Sequence, residues 1–293
     1  MNSINFYKPE KNANLLFLLV WIILMLSITI SLSYLYCLSS LYMPIIYFSV
    51  LITCFYGLSI GYLVRFTSKI FRITSKRDIV YLSIFCGVIS IYASWVAYLT
   101  SLEGPSYSNS IFDSYLTNSD YWLNPFLLFE IMNNISKVGL WEIFGTGTPV
   151  TGTLLWIVWI AEALILIFAP LLAIKSYQVA PFSARSNKWY KKFILNDQFN
   201  TIINIDKTLS ELAQNPEKTM NNFSIGETNR HSIVSIHYLR EESKQYLKID
   251  NVRYDRKGKL IHKKTAINNL EISTQSAESI IKKYFTQKDF FFD

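Results

Sequence analysis

Glu162 is the ionisable residue in this chain that most needs an explanation. It lies inside GTLLWIVWIAEALILIFAPLLAI, residues 152–174, a run of 23 residues with no other ionisable group. At about 1.5 Å per residue the run spans roughly 34 Å, enough to cross a hydrocarbon core of about 30 Å, and it puts the carboxyl roughly 15 Å in from Gly152. A charge at that depth costs about 3 kcal/mol on insertion scales, whereas each Leu, Ile, Phe or Val returns ~0.3–0.6 kcal/mol. The run holds thirteen of these residues, so it inserts with the acid in place. The carboxyl is expected to be protonated or hydrogen-bonded, facing the Ser and Tyr groups of the second and third spans. Three chemistries stay open: a polar clasp that holds helices together, a proton or cation site, and a contact with a partner protein. Pro170 removes the hydrogen bond to the carbonyl of Leu166, one turn from Glu162, and is a place for a kink.

The groups that could face Glu162 are small and polar. Ser49, Thr53, Gly57 and Gly61 recur every four residues, and the last pair is a small-xxx-small motif that permits close helix approach. Ser83, Gly87, Ser90, Ser94, Ala97 and Ser101 follow at alternating spacings of four and three, a seam down one helix face. The seam reads either as packing within a bundle or as the lining of a polar pathway; the intramembrane polar set is therefore Glu162, Ser83, Ser90, Ser94 and Thr53. Gly57, Gly61 and Gly87 are the expected points of closest packing. His231, His237 and His262 lack the Cys or close acidic partners of a metal site and read as surface or strand-face residues. Cys37, Cys54 and Cys86, an odd number with no paired spacing, read as small apolar side chains. Gly145-Thr146-Gly147 has no Walker sequence around it and reads as a turn. No P-loop, zincin, nucleophile elbow or paired metal motif points to an enzyme, and no cofactor is implied.

The elements that must position these groups are membrane spans. The composition is 51% hydrophobic and 17% charged, with the charges segregated, and this sets the class as integral membrane. Spans are expected at 15–38, 44–64, 79–101 and 152–174. Lys8 and Lys11 precede the first, which is too long for a signal core and reads as a span that stays. Arg65, Lys69, Arg72, Lys76 and Arg77 lie between the second and third; Lys175, Arg185, Lys188, Lys191 and Lys192 follow the fourth. These twelve Lys and Arg contrast with Lys137 alone in residues 102–151, a stretch carrying five acids. The positive-inside bias puts both termini in the cytoplasm and residues 102–151 outside. The net charge of +7 would suggest nucleic acid in a soluble chain, but here membrane orientation accounts for it. Arg65, Lys69, Arg72, Lys76, Arg77, Lys188, Lys191 and Lys192 are expected to meet anionic headgroups.

The external stretch is expected to hold an amphipathic helix starting at Asn124-Pro125 and ending at Gly139, with Phe126, Phe129, Ile131 and Ile135 on its apolar side. Trp141, Phe144 and GTGTPVTG lead back to the membrane. Beyond residue 175 a helix is expected from about Asp197 to Pro216, a loop over 215–230, strands at 232–239, 245–254 and 259–267, and a last helix at 274–285. Phe290, Phe291 and Phe292 read as a docking tail. The expected architecture is an all-α four-helix transmembrane bundle, residues 1–175, followed by a small cytoplasmic α+β domain, 176–293.

VTGTLLWIVWIAEAL, 150–164, together with VAPFSARSNKWYKK, 179–192, resembles uncharacterised bacterial membrane proteins that place a W-x-x-W-x-x-E span before a Pro-Phe and aromatic-basic juxtamembrane segment. The resemblance implies a bacterial inner-membrane protein and carries no activity with it. The function expected is that of a membrane-anchored interaction, sensing or scaffold protein acting through its cytoplasmic domain on a protein partner, which includes a second copy of the chain. The alternative is a small transporter or channel component using Glu162.

Overall fold

A computed structural model describes residues 4–9, 15–42, 46–103, 111–139, 149–175, 177 and 179–285. The chain divides into two compact units, Ala13–Gln178 and Val179–Asp293 together with Met1–Asn12. Trp141, Phe144, Gly145-Thr146-Gly147 and Phe290–Phe292 lie outside the described residues.

Four helices of the first unit are long and apolar enough to cross a membrane: α1 (Leu15–Leu41), α2 (Ile46–Ile70), α3 (Lys76–Glu103) and α7 (Gly152–Lys175). They pack as a bundle. α1 buries Trp21, Met25, Thr29, Ser33 and Cys37, one residue per turn, and so presents a stripe of mixed chemistry to its neighbours. Polar groups of that stripe, and Tyr36 beside it, find partners on α2. Trp21 Nε1 donates to Thr67 Oγ1 at 2.7 Å, the Ser33 and Tyr56 hydroxyls lie 2.7 Å apart, and those of Tyr36 and Thr53 lie 2.9 Å apart. Partner numbers fall along α2 as they rise along α1, the register of an antiparallel pair. In lipid such bonds hold helices together where apolar contact has no water to expel.

Three short helices cap one end: α4 (Ile111–Thr117), α5 (Ser119–Leu123) and α6 (Pro125–Val138). Tyr115 is fully buried and its hydroxyl donates to the Ile30 carbonyl at 3.0 Å; Tyr92 donates to the carbonyl of Tyr121 at 2.6 Å. α6 starts where Asn124 caps it, accepting from the Leu127 amide at 3.0 Å. Its buried side differs from the expected one: Leu128 is buried with Ile131, Met132 and Ile135 packed inward, while Phe126 and Phe129 are exposed. The opening PFLLFEIM is apolar everywhere but at Glu130, so periodicity leaves a broad apolar side that includes both phenylalanines; packing of Met132 and Ile135 beside Leu155 and Trp159 selects the part of it that is buried.

The second unit is α+β. A four-stranded antiparallel sheet runs in the order β3 (Lys191–Ile194), β4 (Arg230–Tyr238), β5 (Lys244–Tyr254), β6 (Leu260–Ser273), with a small hairpin of β1 (Phe182–Ser183) and β2 (Lys188–Trp189) before it. Helices α8 (Ile205–Gln214), α9 (Pro216–Asn221) and α10 (Thr274–Tyr284) complete the unit. Val234, Ile236, Leu247, Ile249 and Ile267 of the sheet share one core with Leu212, Ala277, Ile280 and Ile281 of the helices. Beyond β6 runs the N-terminal segment: Phe6 bridges to Leu270, the Tyr7 amide donates to Asn269 O and the Glu271 amide to Asn5 O, both at 2.9 Å.

Three expectations for this unit are corrected. The first helix starts at Ile205, capped by Asn204, because Phe199 is extended and exchanges both backbone hydrogen bonds with Ser232. The β-branched run Thr201-Ile202-Ile203 favours that extension. Residues 215–230 are not wholly loop, since Asn215 caps α9 with Pro216 in the first turn. β6 continues to Ser273, well past Ile267, because both β5 and the N-terminal segment pair with its second half.

Candidate functional site

Ser49, Gly57 and Gly61 of α2 meet Glu162, Ala169, Pro170 and Ala173 of α7, with numbers rising together along a parallel pair. Ser49 Oγ lies 3.5 Å from Glu162 Oε1, at the outer limit of a hydrogen bond. Thr53 turns toward Tyr36 and to the carbonyl of Ser49 at 2.8 Å. Ser49 is one turn from the start of α2, so the carboxyl stands opposite an end of that helix although it is ten residues inside α7.

Below that level the seam is shut. A Cβ on Gly61 would stand 2.4 Å from the Pro170 carbonyl oxygen and 2.8 Å from Ala173 Cβ; one on Gly57 would stand 2.9 Å from Ala169 Cβ. α3 closes on the other side of the same proline, where a Cβ on Gly87 would be 2.8 Å from Leu166 O. That carbonyl is the one Pro170 leaves without its helical donor, and glycine brings the Gly87 backbone to it with room for a weak Cα–H contact. The span-three hydroxyls do not assemble around Glu162. Ser90 donates to Gly87 O at 2.7 Å and Ser94 to Ile91 O at 2.9 Å, each spending its proton on its own helix. Ser83 is buried with no hydrogen-bond partner for its hydroxyl. Trp159, deep for an interfacial aromatic, makes a T-shaped contact with Trp95 at 4.8 Å.

The basic residues scatter among separate roles. Arg65 lies over the Tyr177 ring at 4.9 Å, and Arg72 over Phe17 at 5.9 Å. Lys69 is in the last turn of α2, while Lys76 and Arg77 begin α3. Lys188 is paired with Glu241, and Lys191 lies 5.4 Å from the Phe193 ring centre.

Lys192 leads to a constellation that residue spacing did not reveal. Strand alternation puts Lys192, Ser235, His237, Tyr246, Lys248 and Asp250 on the sheet face opposite the helices, with Lys192 across from His237 and Ser235 across from Lys248. Lys248 and Asp250 are 4% and 3% exposed, and His237 is 5% exposed. From β6, Thr265 donates to Asp250 Oδ1 at 2.6 Å and Lys263 Nζ lies 3.1 Å from Oδ2; Lys248 Nζ is 3.8 Å from Oδ1. Burial by itself would raise the Asp250 carboxyl, but Thr265 and the two ammonium groups prevail and hold it below the usual range. Burial lowers Lys248 and Lys192, and Lys263 pushes Lys192 down further. His237 is held down to about 4 by burial and by the charges of Lys192 and Lys248. The available signal was the alternation of Ser235 and His237 with Val234 and Ile236, and of Lys248 and Asp250 with Leu247 and Ile249.

These features define a multi-pass membrane protein with, among the described residues, four candidate spans and an α+β unit after the last of them. No protein-family model, curated protein or solved structure matches the chain.

Proposed function

We propose that the chain is a membrane-anchored interaction protein, of sensing or scaffold type, whose bundle holds the α+β unit at a bilayer surface where that unit meets a protein partner. The observation that supports this is the closure of the small-residue seam: at Gly57, Gly61 and Gly87 the helices approach too closely for even a methyl group, which argues for an anchor over a conduit. Pairing of Phe6 with Leu270 brings chain from before the first span beside chain from after the fourth, as an even number of crossings requires. Twelve Lys and Arg near the span ends on that side, against Lys137 in residues 102–151, favour a cytoplasmic location for both termini. The resemblance of 150–164 and 179–192 favours a bacterial inner membrane. Anionic headgroups beside Arg65, Lys69, Lys76 and Arg77 would add to the anchoring.

Two measurements on the full chain test the reading. Reconstituted in liposomes, it should pass protons or ions no faster than empty vesicles. Purified in detergent, it should retain one partner that a chain lacking residues 179–293, still membrane-inserted, does not retain. Flux that Glu162→Gln abolishes would overturn the proposal in favour of a transporter built on Glu162.

A further inference from the structure

The sheet face carrying Lys192, His237, Lys248, Asp250 and Lys263 holds more positive charge than its own acid neutralises: Lys248 and Lys263 pair with the one carboxylate, and Lys192, across from His237, adds a third ammonium group. That carboxylate is already occupied by Thr265, Lys263 and Lys248. His237 adds an independent observation, because its Nδ1 is buried and has no hydrogen-bond partner although the side chain is enclosed by polar groups. A buried imidazole nitrogen without a partner forgoes a bond that nearly all such groups make.

We propose that this face binds a phosphoryl group, met by the ammonium groups of Lys192 and Lys263 from the two edges of the sheet and by Lys248 and the His237 imidazole from its floor. The chemistry selects phosphoryl over carboxylate. Lys192, Lys248 and Lys263 against Asp250 leave two unbalanced charges, which match a phosphate dianion, and four donors, one from each strand, suit three or four oxygens better than two. Lys192 and Lys263 are exposed, so a ligand can reach the site from solvent, whereas Lys248 and His237 are buried and already placed. An anion there relieves the mutual repulsion of the ammonium groups. The phosphoryl group can belong to a soluble phosphate compound or to a lipid headgroup, and the assignment stands whether or not the chain also has a protein partner.

The test uses the full chain carrying isotope-labelled histidine, in nanodiscs of phosphatidylcholine, with His237 followed by NMR as pH is varied. His237 faces Lys192, Lys248, Asp250 and Tyr246, so its midpoint reports on the whole cluster. Inorganic phosphate at constant ionic strength should raise the midpoint saturably, by about one pH unit for a ligand that binds the charged form about tenfold tighter. Lys192→Gln, at an exposed edge position, should weaken the response about tenfold, and Lys192→Arg should keep most of it. A response to phosphate identifies a soluble phosphoryl ligand; one seen only when phosphatidic acid is added to the nanodiscs identifies a headgroup; either supports the site. A His237 midpoint indifferent to both, or a response unchanged in Lys192→Gln, overturns it.

Discussion

Gly57 and Gly61 are about one turn apart on the same face of α2, yet substitution by alanine should separate them sharply. Ordinary contact begins near 3.4 Å, so a methyl at Gly57 falls short by about 0.5 Å against Ala169 Cβ, and one at Gly61 by about 1 Å against Pro170 O. The first obstacle is a side chain and the second is backbone. Overpacking costs about 1–3 kcal/mol, offset by ~0.5–1 kcal/mol because alanine suits a helix better than glycine. Gly57→Ala should therefore stay within about 1 kcal/mol of the parent, while Gly61→Ala should lose about 1–3 kcal/mol. The decisive variants are the doubles. Ala169→Gly removes what Gly57→Ala strikes and should relieve that clash fully when the double variant is measured against Ala169→Gly alone, which carries the ~0.5–1 kcal/mol that glycine costs inside α7. Ala173→Gly clears the 2.8 Å contact at Gly61 but leaves the carbonyl at 2.4 Å, and should restore little. Thermal unfolding of the full chain in detergent reads the difference, at roughly 2–4 °C per kcal/mol. If Gly61→Ala melts with the parent, or Ala173→Gly rescues it as completely as Ala169→Gly rescues Gly57→Ala, the closed seam is wrong.

Acid should reach the second unit through His237. Its folded value of about 4 lies below the usual 6.5, so the folded state resists the proton: its contribution is intact above pH 6.5 and is lost as pH falls toward 4, about 3 kcal/mol in all. His237→Gln should flatten unfolding midpoints across that window. Asp250, also held low, gives way further down, below the ordinary carboxylate value. Tyr7 makes an edge contact with Tyr246 at 5.1 Å, and its hydroxyl accepts from the Phe182 amide at 3.1 Å. Tyr7→Ala should cost about 1–2 kcal/mol and speed hydrogen exchange of the Glu271 amide, which donates to Asn5; unchanged exchange would mean the N-terminal segment is not held there. Arg72 sits at φ 59° just after α2, where the Ile73 amide closes on Ser68 O at 2.8 Å. Arg72→Gly relieves about 1 kcal/mol of left-handed strain against a comparable loss over Phe17 and should be near neutral, whereas Arg72→Val should destabilise by more than 1 kcal/mol in the same melting assay.

Much of the fold was readable because hydrocarbon imposes a length and a composition on whatever crosses it. The four spans, the Asn124-Pro125 helix start, strands β4, β5 and the first half of β6, and the last helix each follow from a local pattern. So does the tight approach of Gly57 and Gly61, since a small-xxx-small pair announces contact. It does not announce the partner. That Gly61 and Gly87 close on α7 from two sides of Pro170 depends on which helix lies beside which, and a stretch as apolar as Leu154–Ile160 gives no face to read, although Leu155 and Trp159 are the residues it buries.

The seam around Glu162 shows the division most clearly. An acid with thirteen aliphatic or Phe neighbours in its own segment had to find a hydroxyl, and the spacing of Ser49 and Thr53 offered two; the fold chose Ser49 and gave Thr53 to Tyr36. In the second unit, Lys248 and His237 look like surface residues in a basic tail, because polar residues alternating with apolar ones in a strand ordinarily mark its solvent face, and here that face is buried as well. Only the pairing of β3 with β4, β4 with β5 and β5 with β6 brings Lys192, His237, Lys248, Asp250 and Lys263 onto one face. Local chemistry dictates where a chain can be helical, extended or buried in lipid; which distant side chains share a surface is set by register, and register is a property of the assembled sheet and bundle.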